Sequence, residues 1–232
     1  MISVRKSEER GLTDIGWLVS RHTFSFDKYY DPHHMHFRSL RVINEDIVKP
    51  GEGFSTHPHN NMEIITYIVS GELAHKDSME NGSVIKEGEV QRMTAGTGIR
   101  HSEYNPSADK EVHLLQIWIL PDEKELTPSY EQKNFSEMMK EDELNLIASR
   151  DGKDGSVVIN QDARIYTCRL SGGKNLDVDI GEGRNVWVQV VDGELWVAGE
   201  KLLPGDGCSV TAQNMVNLKA KKDCHFLLFD LN

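Results

Sequence analysis

The sequence predicts an all-β protein in which two similar barrels pack together. Three observations lead there. Short segments rich in β-branched and aromatic residues follow one another at regular intervals, divided by glycine turns. Helical periodicity is almost absent. Several marks in the first half recur, in the same order, in the second. At 232 residues the chain is long enough for one large domain or two small ones. Its 38% hydrophobic and 27% charged residues are ordinary for a soluble globular chain.

Taken in order, Trp17, Phe24, Phe26, Tyr29 and Tyr30 read as core and inter-strand packing, with some available to line a pocket. Asp31-Pro32-His33-His34 is a turn. Ser39 to Asn44 alternates as a strand and stops before Pro50-Gly51. Glu63 to Val69 is a strand by its β-branched content, turned by Ser70-Gly71. Ala74–Ser78 and Gly82–Ile85 form a hairpin, and Val90–Thr94 is the next strand. Ala95 to Gly98 is a glycine loop, and His113–Leu120 is a strand closed by Pro121. Residues 122–150 break the rhythm, and Ser136–Leu146 is expected to be helical with Ser136 as its N-cap. The expected domains are 1–135 and 151–232, with 136–150 connecting them.

The repeat aligns Gly51-Glu52-Gly53 with Gly181-Glu182-Gly183, Ile68 to Leu73 with Val190 to Leu195, and Gly88-Glu89 with Gly205-Asp206. In this alignment the second copy is shorter, and what it lacks is the stretch that carries His57 and His59.

That stretch is the candidate site. In an extended strand, residues two apart point to one side, so His57 and His59 of His57-Pro58-His59 can reach one point in space. His101 and Glu103 repeat the spacing behind the glycine loop. Neutral imidazoles and one carboxylate, with positions left open, suit Fe(II), Mn, Ni, Cu or Zn. Glu63 is the competing carboxylate. On a straight strand it lies about 13 Å from His59, and a turn at Asn60-Asn61 would return it. Glu103 needs no such turn to stay beside His101 and is preferred, although geometry alone leaves the choice open. His33, His34 and His36 lack a supporting second pair and read as a polar rim. His22, His75, His113 and His225 are single and read as hydrogen-bonded structural histidines.

Other classes are disfavoured. A formal charge of −11 argues against direct nucleic-acid binding. Cys168, Cys208 and Cys224 are scattered, which fits reduced buried thiols and not a disulfide framework or thiolate zinc site. No run approaches a membrane span, and the charged start has no apolar core, so the expected location is cytoplasmic. No phosphate loop of the P-loop or dinucleotide type is present.

The two histidine motifs carry a resemblance. Gly51, His57-x-His59, Glu63 and Gly71 resemble the first cupin motif, and Gly98-x-x-His101-x-x-x-Asn105 resembles the second. Thr56 to His59, Met62-Glu63, Met93 to Glu103 and Gln116 to Ile119 resemble the pirin family more particularly, as do Arg21 to Phe26 and Tyr29 to Pro32. The resemblance implies a bicupin of two tandem jelly-roll-like barrels, the N-terminal one carrying one divalent transition metal and the C-terminal one metal-free. It implies His57, His59, His101 and Glu103 as ligands, leaving Glu63 as a support outside the ligand set. Iron(II) is the foremost metal expected, with Mn, Ni, Cu, Co or Zn as alternatives. The implied activity is a quercetin 2,3-dioxygenase type of oxidoreductase, with a flavonol-like aromatic and O₂ as substrates and Glu103 as general base. The alternative is a non-catalytic metal-binding regulator that docks a transcription factor or metabolic enzyme as its protein partner.

Overall fold

The computed structural model describes residues 1–232. In chain order its strands are β1 (Ile2–Arg5), β2 (Gly11–Asp14), β3 (Leu18–His22), β4 (Leu40–Val48), β5 (Gly53–His59), β6 (Glu63–Ser70), β7 (Glu72–Asp77), β8 (Gly82–Lys86), β9 (Glu89–Thr94), β10 (Ile99–Tyr104) and β11 (Val112–Ile119). They continue as β12 (Ser129–Asn134), β13 (Asn145–Ser149), β14 (Val157–Val158), β15 (Ala163–Leu170), β16 (Asn175–Asp179), β17 (Asn185–Asp192), β18 (Leu195–Val197), β19 (Glu200–Leu202), β20 (Gly207–Val210), β21 (Met215–Ala220) and β22 (Cys224–Leu231). Helix is confined to two single 3-10 turns.

Each half is a large sheet facing a small one. In the first, a seven-stranded sheet runs β12-β9-β6-β11-β4-β3-β2, and a four-stranded sheet runs β5-β10-β7-β8. In the second, the large sheet runs β1-β20-β17-β22-β15-β13-β14 and the small one β16-β21-β18-β19. The all-β, two-barrel expectation therefore holds, and the halves match strand for strand through most of their length. The turns match too. Gly71 and Gly193 have φ of +81° and +80°, a region that a Cβ disfavours. A Cβ on either would also strike the backbone entering β11 or β22, at Glu111 or Asp223.

One mark of the repeat is corrected. Gly51 precedes β5, whereas Gly181 follows β16, the counterpart of β5. The strand that carries His57 and His59 thus has a counterpart in the second copy, and its inward positions are filled differently. Leu176 and Val178 of β16 stand opposite Leu218 and Val216 of β21. Those residues belong to or pack on an apolar core of 17 buried residues that fills the second barrel. Gly-Glu is a common turn pair, which is why it misled the alignment.

The expected helix is also absent. Ser136 is not a helix cap; the Asn134 side chain accepts its N–H at 2.8 Å. The Phe135 carbonyl takes the Met138 and Met139 N–H groups in one turn, and the chain then extends. Asn145 and Leu146 begin β13 and pair with Thr167 and Tyr166, while Ile147 and Ala148 are fully buried. Strand pairing and burial outweigh a weak local helix preference. Asn145–Ser149 therefore lies in the second large sheet and not in a connector. The start of the chain departs from the expected division as well. β1 leaves the first barrel and pairs with β20 along the edge of the second.

The barrels share a core. Phe24, Leu40, Ile117 and Ile119 from the first pack in one cluster of 21 buried residues with Ile147, Ile165, Trp187 and Leu227 from the second. Phe24 meets Trp187 at 5.1 Å between ring centroids. At this seam Tyr67 Oη lies 3.1 Å from Thr167 Oγ1 and 2.9 Å from His225 Nε2. The three cysteines are free and buried, as expected. No helix is long and apolar enough to cross a membrane.

Candidate metal centre

The small sheet of the first barrel delivers the histidines. Its order places β5 at the edge, where Pro58 can sit without a missing ladder bond. β5 pairs with β10 so that His57 stands opposite His101 and His59 opposite Ile99. Between His101 and Glu103 the register shifts, because Glu103 stands opposite Phe54. The bulge thus falls on β5 around Ser55 and Thr56, and bulges re-aim neighbouring side chains. The three imidazole centroids lie 4.4 to 4.9 Å apart. One ligand atom from each of His57, His59 and His101 falls within 4.8 Å of the others. A second such group, His75, His101 and Glu103, shares His101 with the first.

Hydrogen bonds fix which ring nitrogens are free. His57 Nδ1 donates to the Ser55 carbonyl at 2.8 Å, leaving Nε2 as a lone pair. Behind His101, His75 Nε2 lies 3.3 Å from Asp77 Oδ2 and donates to it. Neutral His75 then has a lone pair at Nδ1, 3.5 Å from His101 Nδ1, which donates. His101 Nε2 is left buried with no partner. Sequence reasoning took His75 for a lone structural histidine. The signal was present in His75-x-Asp77, spaced like the other two pairs, and β7 sets His75 opposite Glu103.

The large sheet supplies the other wall. One row crosses it through registered neighbours: His22 with Asn44, Asn44 with Gln116, and Gln116 with Thr66. Thr13 Oγ1 donates to His22 Nε2 at 2.9 Å, and His22 Nδ1 donates to Asn44 Oδ1 at 2.8 Å. The Thr66 hydroxyl donates to Gln116 Oε1 at 2.9 Å. Gln116 Nε2 in turn donates to Glu103 Oε2 at 3.1 Å. A polar ladder therefore ends on Glu103 and holds it. Gln116 lay inside a recognised motif without an assigned role. Its function follows only from cross-strand register.

Burial sets the charges. It pushes His101 down to about 3, helped by His57 and His75, and His59 down to about 4, helped by His101 and His57. Both rings stay neutral and ready to ligate. Burial raises Glu103, against the pull of the neighbouring histidines. Burial works against ionisation of Asp77, but hydrogen bonds from Asn81, His75 and Met79 outweigh it and hold that carboxyl low.

Glu63 is fully buried elsewhere in the barrel wall. It accepts hydrogen bonds from Thr94 Oγ1 at 3.0 Å and from Asn160 Nδ2, across the seam, at 3.1 Å. It is not in either ligand group. His34 pairs with Asp31 at 2.7 Å, and His36 donates to the Arg38 carbonyl, so these rim histidines are spoken for. Arg100 is exposed beside the outer mouth of the site.

A cleft of about 320 Å³ opens onto His57, His59 and Glu103. Trp17, Phe26, Phe54 and Trp118 give it aromatic sides, and Ser20, His22, Asn44, Asp46 and Gln116 give it a polar wall. Its size is at the low end for small-molecule pockets, about 300–1,000 Å³. The donor set fits a divalent transition ion. Two of its imidazoles are tautomerically fixed to present Nε2, one of these atoms is a buried orphan, and a carboxylate stands beside it.

Paired barrels of a large and a small sheet, with His-x-His and His-x-Glu strands side by side inside one of them, define a bicupin with a single candidate metal centre. Comparison with known proteins narrows this. The family profile described as Pirin matches residues 3–119, and the profile described as quercetinase C-terminal cupin domain matches residues 146–231. The chain is 46% identical over 231 residues to the quercetin 2,3-dioxygenase of Escherichia coli strain K12, covering 100% of this chain and 99% of that one. It is 43% identical to a putative quercetin 2,3-dioxygenase of Pasteurella multocida, with 100% of both chains covered. The crystal structure of the bacterial pirin YhhW from Escherichia coli in complex with nickel(II) superposes with a TM-score of 0.95 at 45% identity, covering 100% of this chain and 99% of that one. The chain belongs to the pirin family.

Proposed function

We propose that this protein is a metal-dependent dioxygenase that cleaves quercetin-like flavonols with O₂. The observation that carries the reading is the buried, unpartnered His101 Nε2 beside His57, His59 and Glu103 at the end of an aromatic-walled cleft. Two relatives spanning the full chain bear the name quercetin 2,3-dioxygenase, one as putative, and the Escherichia coli pirin YhhW, similar in structure, holds nickel(II). His57, His59, His101 and Glu103 would hold one divalent transition ion. When bound, that ion supplies Lewis-acid activation of the flavonol 3-hydroxyl and the one-electron chemistry that lets a closed-shell organic molecule react with O₂.

The chain's own residues prepare the substrate. Trp17, Phe54, Phe26 and Trp118 receive the flat aromatic rings and displace water from the cleft. Glu103, whose pKa burial raises, is the carboxylate placed to take the 3-hydroxyl proton. Gln116 keeps its carboxylate aimed at that proton. His75 and Asp77 hold the His101 ring in the tautomer described above. The overall reaction consumes one flavonol and one O₂ and yields a depside and carbon monoxide.

The test is aerobic turnover of quercetin by protein loaded with each candidate metal in turn. O₂ uptake with matching carbon monoxide and depside formation is expected, and His101→Ala should abolish it. No uptake with any metal, or equal uptake by His101→Ala, would overturn the reading.

A further inference from the structure

The polar wall of the cleft contains one buried carboxyl oxygen without a hydrogen-bond partner, Oδ1 of Asp46. Along β4, Asn44 and Asp46 both face the cleft. Asn44 is engaged by His22. Asp46 stands opposite Ser20 on β3, is only 5% exposed, and its Oδ1 has no hydrogen-bond partner. An unmet buried acceptor costs stability, and a donor from a molecule bound in the cleft would relieve that cost. In the neighbouring row, from Thr13 to Glu103, the polar side chains are all paired.

Position says what could satisfy it. Asp46 lies two residues beyond Asn44, about 7 Å along the strand. Asn44 is level with Gln116, which holds Glu103. Asp46 is therefore one step from the level of the candidate ligand carboxylate. The next inward position, Val48, belongs to an apolar cluster with Leu18, against which Trp17 and Phe54 pack. Trp17, Phe54, Asp46 and Glu103 all line the one cleft, so a flat aromatic molecule lying against those rings and reaching Glu103 would come close to Asp46.

We infer that Asp46 is a specificity-determining contact: it accepts a hydrogen bond from a phenolic hydroxyl of the bound flavonol other than the 3-hydroxyl. The inference rests on the flavonol reading above and adds to it a choice among flavonols. Burial, reinforced by Glu103 and Glu45 against the Ser20 hydroxyl, pushes Asp46 up to about 7. The unpartnered Oδ1 can accept a hydrogen bond in either form of the carboxyl. A hydroxyl donor suits this site, whereas a substrate lacking one would leave the acceptor as it is now, buried and unmet.

The test compares quercetin with 3-hydroxyflavone, which carries only the 3-hydroxyl. Their dissociation constants are measured without O₂ on metal-loaded protein, by change in ligand absorbance. Wild type is expected to prefer quercetin. Asp46→Val, which removes the acceptor, should reduce that preference about ten- to hundredfold. Asp46→Ala removes the same acceptor without added bulk and should read alike should valine not fit. Asp46→Asn keeps an acceptor oxygen and should keep most of the preference. If Asp46→Val and Asp46→Ala retain the wild-type ratio, the inference fails while the flavonol reading stands. If wild type binds neither compound, the flavonol reading fails and the inference goes with it.

Discussion

Gln116→Leu isolates the support of the carboxylate from the ligands themselves. Leucine is similar in size, so the barrel wall stays filled. The substitution deletes the 3.1 Å hydrogen bond from Gln116 Nε2 to Glu103 Oε2 and the acceptor for the Thr66 hydroxyl. Thr66 keeps only a contact to Glu103 Oε1, at 3.5 Å. A hydrogen bond to a charged group is worth about 1.5–3 kcal/mol. At about 1.4 kcal/mol per factor of ten, metal affinity should fall roughly 10- to 100-fold. Losing a partner of a metal ligand typically costs a similar factor, about 10–100. The variant should lose affinity by one route more, because Glu103, already raised by burial, is easier to protonate without the amide donor. Competition against a chromophoric chelator at fixed pH measures the dissociation constant, and a thermal melt of the metal-free protein checks the fold. A folded variant with wild-type affinity would show that Gln116 does not orient the ligand.

Three further outcomes are expected. Because burial raises Glu103 while His59 and His101 are held near 4 and 3, lowering the pH should weaken metal binding by protonating the carboxyl before either of these two rings. Chelator competition across pH reads this, with Glu103→Gln expected to lose the first part of the dependence; an affinity flat with pH, or an unchanged dependence in Glu103→Gln, would refute it. Burial works against ionisation of Glu45, but His113 at 3.0 Å and Arg10 at 2.6 Å hold its pKa at about 2, below the ordinary 4.5. A depressed carboxylate stabilises the fold above its unfolded pKa, and the benefit is lost as pH falls through the folded one. Glu45→Gln should thus cost about 2–3 kcal/mol at neutral pH in urea melts and converge with wild type near pH 2; an equal difference at both pH values would count against this account. Phe24→Ala, at the seam with Trp187, should destabilise by about 3–5 kcal/mol while both barrels still melt together. A melt unchanged in midpoint, or split into two steps, would show that the shared core does not couple them.

How much of this was legible in the sequence depended on the range of the interaction. The strand pairs around His57 and His101 were readable because period-two spacing is local and the glycine turns are strict. The all-β class followed from the same signals. The expected helix at Ser136 to Leu146 failed because β13 forms by pairing with β15 and β14, strands that follow it later in the chain. The crossing of β1 to β20 spans nearly the whole chain and leaves no local mark. The same holds for the site. Gln116, His75 and Asp46 acquire their roles from register between strands, which spacing along the chain does not reveal. Gly181-Glu182-Gly183 shows the opposite hazard, a local likeness with no structural counterpart. Leu176 and Val178, which pack on the apolar core of the second barrel, carry no motif at all.

The central claim is that one metal sits in the first barrel on His57, His59, His101 and Glu103. Elemental analysis of protein purified without chelators tests it most directly, with single alanine variants of each of the four beside wild type. The account predicts one divalent transition ion per chain in wild type and a marked loss in every variant, with the fold retained. Wild-type metal content in His101→Ala, whose Nε2 is the buried orphan of the site, would contradict it.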